Sequence, residues 1–159
     1  ETYKLPTIIT NCSNNFGPFQ HREKLIPTII RSCIQNKDIP IYGNGKNIRD
    51  WIFVGDHCDG IELAISKGNT NETYLFGGEM ELRNIDIAHK ICEILDVIKP
   101  KSSGESYKSQ IKFVQDRAGH DFRYAISNQK SFTELGFKPS KTFDDRLKET
   151  VEFFVNIAK

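Results

Sequence analysis

The chain lacks the signatures that would settle its chemistry at once. None of its 11 glycines falls into a Gly-x-Gly-x-x-Gly run behind a strand, so the turn that lays a dinucleotide pyrophosphate against a helix N-terminus is missing. The stretch Gly43-Asn44-Gly45-Lys46-Asn47 has neither the spacing nor the Ser/Thr of a phosphate loop, and its composition reads as a tight turn. Histidines 21, 57, 89 and 120 make no i, i+4 pair, which argues against a metal site. Cysteines 12, 33, 58 and 92 are too scattered for a zinc pair, and their expected state is buried free thiols in a reducing compartment. No Ser-His-Asp or Cys-His set follows from spacing.

An excess of one charge is lacking too. With 22 basic and 21 acidic residues the net charge is +1, so no global field draws the protein to nucleic acid or membrane. Any anion site must be built locally. No apolar run approaches the length of a membrane span and no signal peptide opens the chain, so cytoplasmic is the expected location. The opening ETYKLP contains no initiating methionine, which leads us to expect a piece of something longer. At 159 residues, 38% hydrophobic and 27% charged, the composition suits one globular domain.

Hydrophobic patterning then gives alternating short strands and helices, a mixed α/β class. Strands are expected at 7–12, 39–43, 49–54, 72–78 and 111–114. Helices are expected at 25–36, from Asp56 to about Ser66, from Asn84 onward, at 128–135 and from Thr142 to the end. Asp56 and Asn84 read as N-caps, Thr142 with Asp145 as a capping-box-like start, and Gly136 as a stop. Leu147, Val151, Phe154, Val155 and Ala158 form the buried stripe of the last helix. Residues 100–109 read as a variable, mobile connection.

What remains is a scattered set of donors beside strand and helix ends. Asn14 and Asn15 follow the first strand, with His21, Arg22 and Lys24 leading into a helix whose free N–H groups favour an anion. Arg49 precedes an aromatic strand, and Arg117 with His120 shares the loop QDRAGHDFR. Each has an ordinary alternative: a helix cap for Asn84, and an ion pair with Asp50 or Asp121 for the arginines. Spacing alone leaves the function open.

NCSNNFGPFQHREKLIP, IPIYGNGKNIRDWIFVGDH, ETYLFGG and FVQDRAGHDFRYAI, in this order, closely resemble the C-terminal half of the dTDP-glucose 4,6-dehydratases. These are extended short-chain dehydrogenases/reductases acting on nucleotide sugars. The resemblance implies the substrate-binding part of a Rossmann-like NAD(P)-binding fold, with most of the Rossmann half absent, and residues 1–159 as a single sugar-nucleotide-binding domain. In that family the absent half carries the NAD loop, the Tyr-x-x-x-Lys pair and the Asp-Glu pair that eliminates water. Tyr3 and Lys4 are adjacent and cannot replace that pair, so no catalytic residue and no metal ligand is expected here, and the piece alone should be inactive.

The resemblance also implies roles. Asn14 would bind sugar or diphosphate, Lys24 and Leu25 would border diphosphate and nucleotide, and Tyr42 would line the pyrimidine pocket. Arg49 and Arg117 would clamp the diphosphate, with Asn84 and His120 holding nucleotide or phosphate oxygens. Cys12 and Asn15 would lie near the nicotinamide of NAD. The implied ligand is a nucleotide-diphosphate sugar, dTDP-glucose first, and the whole enzyme is expected to be a homodimer whose contact lies mainly in the other half. Phe16 and Phe19 replace tyrosines common in that family, and the choice between thymine and uracil stays open. A UDP-sugar dehydratase, decarboxylase or epimerase and a non-catalytic binding module are the rival readings. Near-neutral charge and the want of a basic patch interleaved with aromatics argue against a nucleic-acid binder.

Overall fold

A computed structural model describes residues 5–140 and 142–157; Tyr3, Lys4 and Ala158 lie outside them. The strands are β1 (Ile9–Cys12), β2 (Asn14–Phe16), β3 (Ile39–Tyr42), β4 (Ile48–Phe53), β5 (Thr73–Phe76), β6 (Glu81–Arg83), β7 (Ile111–Val114) and β8 (Arg123–Tyr124). The helices are α1 (Leu25–Ile34), α2 (Val54–Lys67), α3 (Asn84–Ile98), α4 (Gln129–Leu135) and α5 (Phe143–Ile157), with a 3₁₀ turn at Tyr107–Gln110.

β4 is the partition of the molecule. Its first half pairs with antiparallel β6 and parallel β8, and its second half with parallel β2, Asn14 standing opposite Trp51. Side chains alternate across a strand, so Trp51 and Phe53 enter a core with Phe16, α1, α3 and α5, while Ile52 enters a second one with Tyr74, Phe76, Leu135 and Phe137. Two smaller parallel pairs flank this wall, β3 with β7 and β1 with β5. Among the described residues β1 pairs with β5 alone, and its Ile9 is 58% exposed.

Both expected N-caps turn out otherwise. α2 begins at Val54 with Phe53 as N-cap, so Asp56 lies inside the first turn. The buried Asp56 carboxylate instead accepts from the Ser140 N–H at 3.2 Å and hydroxyl at 2.6 Å, with Arg146 Nη2 at 3.4 Å. Tertiary partners outcompete the cap. Asn84 is the first residue of α3 and caps nothing with its side chain. The backbone of the 43–47 turn does that work, Asn84 N–H donating to the Asn47 carbonyl at 3.0 Å and Ile85 N–H to that of Gly45 at 3.1 Å. The capping pair at Thr142 is present, Asp145 N–H donating to its hydroxyl at 3.3 Å, and Gly136 ends α4 at φ 74°.

Three strands escaped the sequence reading. β2 carries no strand signal because its amides lack β propensity, β8 because it is two residues long, and β6 because Glu81 and Arg83 are polar. The 100–109 connection is fastened rather than mobile: Asp96 accepts from Ser106 Oγ at 2.5 Å and from the Tyr107 N–H at 2.9 Å, and the buried Tyr107 donates its hydroxyl to the Lys99 carbonyl at 2.8 Å. All four cysteines are free; Cys33 and Cys92 are buried, Cys12 partly so, and Cys58 is exposed on α2, contrary to expectation.

The paired glycines after β5 let the chain return against β4, since a Cβ on Gly78 would sit 1.6 Å from the Trp51 carbonyl oxygen. The turn is held by Asp50, 1% exposed, whose carboxylate accepts from Met80 N–H at 2.9 Å and Gly78 N–H at 3.2 Å. Asp50→Ala strands both donors, and urea unfolding should show a loss of about 2–4 kcal/mol; Asp50→Asn, which keeps one acceptor, should lose less.

Candidate functional site

A cavity of about 930 Å³ opens between the β2–α1 connection, the ends of β3 and β4, the start of α3 and the turn after β7. Asn14, Lys24, Leu25, Tyr42, Arg49, Asn84, Arg117 and His120 all line it, as does Asn15. Cys12 stands one step behind the wall, its Sγ accepting from Asn15 Nδ2 at 3.0 Å. Residues separated by up to about a hundred positions therefore meet because β4 carries Arg49 between the α1 entry and the 114–124 segment.

The structure adds residues that the sequence reading passed over. Thr28 and Arg31 follow Leu25 at three-residue intervals on α1 and face the same space, and Gln20, Glu23, Pro40 and Trp51 line it too. The i, i+3, i+6 spacing of Leu25, Thr28 and Arg31 was the available signal.

The cavity concentrates positive charge that the whole chain does not have. Lys24, Arg31, Arg49 and Arg117 line it against one carboxylate, Glu23. Arg49 makes no ion pair with Asp50 or Asp121. Its Nη1 donates to the Ile48 carbonyl at 2.7 Å and its Nη2 to the Asp121 carbonyl at 2.8 Å, which fixes the group while leaving its charge uncancelled. Arg117 lies with its guanidinium 5.1 Å over the Tyr42 ring and its Nη2 3.0 Å from His120 Nε2. The side chains of Asn14, Lys24, Arg31 and Asn84 have no partner among the described residues.

Asn15 is spent internally. Its amide nitrogen donates to Cys12 Sγ and to the Ser13 carbonyl at 3.2 Å, and its Oδ1 meets His57 Nδ1 at 3.1 Å. Burial holds the His57 imidazole below its ordinary value of 6.5, so the ring is neutral near pH 7. Such a site can hold a doubly charged, oxygen-rich group at one end through guanidinium and ammonium donors, and a flatter group along the Leu25–Arg31 face beside Tyr42.

Comparison with known proteins shows the family and the fold. The family model described as GDP-mannose 4,6 dehydratase matches residues 1–150. A dTDP-glucose 4,6-dehydratase of Salmonella typhimurium is 48% identical over 154 residues, 97% of this chain and 42% of that protein. The crystal structure of dTDP-glucose 4,6-dehydratase from Bacillus anthracis in complex with NAD superposes with a TM-score of 0.86 at 39% identity, covering 98% of this chain and 46% of that one. That of dTDP-glucose 4,6-dehydratase from Streptomyces venezuelae, also with NAD bound, gives 0.88 at 37% identity over 98% and 45%. The chain spans less than half the length of the relatives it matches.

A pH dependence follows from His57. Its folded value is depressed, so its contribution to stability is complete above the unfolded value near 6.5 and is lost as pH falls through the folded one. Thermal melts between about pH 7.5 and 5.5 should show wild-type stability declining, and His57→Gln should flatten that decline.

Proposed function

The chain belongs to the GDP-mannose 4,6-dehydratase family, and from that premise we propose that it is the sugar-nucleotide-binding half of a dTDP-glucose 4,6-dehydratase. The observation that carries the reading is the convergence of Arg49, Arg117, Lys24 and Asn84 on one cavity with their charges and amides unspent by the protein's own carboxylates. A charge-assisted hydrogen bond contributes about 1.5–3 kcal/mol net, so three or four of them supply much of the roughly 8 kcal/mol of a micromolar ligand.

In this reading Arg49 and Arg117 grip the diphosphate from two sides, and Lys24 adds a point charge at the N-terminus of α1. Leu25 and Tyr42 border the base, while Asn14 and Asn84 reach sugar and phosphate oxygens. Holding the remote nucleotide orients the hexose, which is how binding energy far from the reacting carbons lowers the barrier. The one Tyr-x-x-x-Lys spacing, Tyr42 to Lys46, crosses the end of β3 and the 43–47 turn and so lacks the helix that would set both side chains on one face. No Asp-Glu pair for the elimination is present, so the reacting groups belong to the rest of the enzyme.

Bound to the whole enzyme, NAD would supply reversible hydride transfer, with Asn15 and Cys12 of this chain near its edge. The residues of this chain fit it only as an edge, because the side-chain nitrogen and oxygen of Asn15 are already engaged and Cys12 lies behind the wall. The NAD-bound relatives support NAD as the cofactor of the full-length protein. The half-finished look of the β1–β5 pair supports further strands in that protein, since parallel sheets are ordinarily covered and extended and Leu5 and Ile9 are 67% and 58% exposed beside it. A cytoplasmic homodimer is the assembly this reading carries. Among the described residues no helix is long and apolar enough to cross a membrane.

The full-length protein should convert dTDP-glucose to a 4-keto-6-deoxy product, measured by absorbance in alkali, and Arg49→Ala should lower kcat/KM about 10–100-fold. Formation of an epimer or a decarboxylated sugar instead would reject the dehydratase reading, and preference for UDP-glucose would reject dTDP.

A further inference from the structure

We propose that Asp116 is a positioning residue: through the ring of His120 it sets the Arg117 guanidinium for the diphosphate. The inference rests on the reading of the cavity given above and gives His120 a different part in it.

One oxygen of Asp116, Oδ1, receives both the Arg117 N–H at 2.8 Å and His120 Nδ1 at 2.7 Å. On the far side of the same ring, Nε2 meets Arg117 Nη2 at 3.0 Å. A guanidinium only donates, so Nε2 must accept and the ring proton sits on Nδ1, donated to Asp116. The tautomer follows from having a carboxylate on one side and a guanidinium on the other. It also leaves the imidazole with no proton for a phosphate oxygen, so His120 holds Arg117 rather than the ligand. The ring is 6% exposed against 42% for the Asp116 carboxylate, which keeps it from swinging away.

Two more contacts lock the arrangement to β3. The Arg117 guanidinium lies over Tyr42 at 5.1 Å, a cation–π contact. The second oxygen of Asp116 occupies the space a side chain at residue 43 would need, since a Cβ on Gly43 would come within 2.8 Å of Oδ2. Gly43 has φ +56°, a conformation suited to glycine, and its N–H donates to the Val114 carbonyl at 2.9 Å. The His120 ring and then the Arg117 amide hold the Asp116 carboxyl below its usual range, as expected of a carboxylate that accepts from both. Arg117 thus gives up its rotamer freedom before the ligand arrives, which is the general route by which preorganisation raises affinity.

The test is a double-mutant cycle on the full-length protein, read by calorimetric titration with dTDP and, as a control for the base end and for folding, with thymidine. Arg117→Ala should weaken dTDP about 10–100-fold and Asp116→Ala about 5–10-fold, both leaving thymidine unchanged. Asp116→Asn keeps an oxygen at Oδ1 and should stay within about 3-fold of wild type, and Asp116→Ala should cost nothing further once Arg117 is alanine. If Asp116→Ala adds its full loss on top of Arg117→Ala, Asp116 acts on its own and the proposal is overturned. If Arg117→Ala leaves dTDP affinity untouched, the diphosphate reading of the cavity falls and the proposal with it. Should Asp116→Ala also lose thymidine, His120→Gln, which keeps an acceptor near Nε2, carries the same test: it must bind dTDP better than His120→Ala, and equal losses overturn the proposal.

Discussion

A guanidinium bonded to backbone carbonyls is held in place without being neutralised, and this is the constraint on which the site depends. Arg49 donates to the carbonyls of Ile48 and Asp121, and Arg117 to a neutral imidazole. A chain of net charge +1 can therefore present a strongly basic cavity, because buried carboxylates are occupied elsewhere, Asp50 on the glycine turn and Asp56 on Ser140 and Arg146, while Asp116 reaches the Arg117 side chain through the His120 ring. Ion pairing would have cancelled the field at the one place where it is needed.

The same wiring explains why β4 is placed where it is. Its consecutive residues serve different ends, Arg49 the cavity, Asp50 the turn after β5, Trp51 one core and Ile52 the other. The buried carboxylate in the middle is tolerable only because two N–H groups meet it.

Much of this was legible beforehand. Apolar periodicity placed α1, α3 and α5 within a few residues, and the glycine-asparagine turn at 43–47 is present with Lys46 N–H donating to Asn44 Oδ1 at 3.0 Å. The resemblance brought together the residues that line the cavity, which no spacing rule could have done, since proximity across tens of residues is a tertiary property. The two misplaced caps share one cause. Asp56 and Asn84 look like caps by sequence, but a side chain caps a helix only if nothing better is in reach; Asp56 found Ser140 and Arg146, and the 43–47 backbone reached α3 first. Arg31 and Thr28 were missed although their spacing was plain, because a helix face can be assigned to a cavity only once something faces it.

The most direct measurement is a crystal structure of the full-length protein with dTDP bound. The account predicts diphosphate oxygens within about 3 Å of the guanidinium groups of both Arg49 and Arg117, with Asp116, His120 and Tyr42 unmoved behind the latter. A diphosphate lying outside this cavity, or held without either arginine, would contradict it.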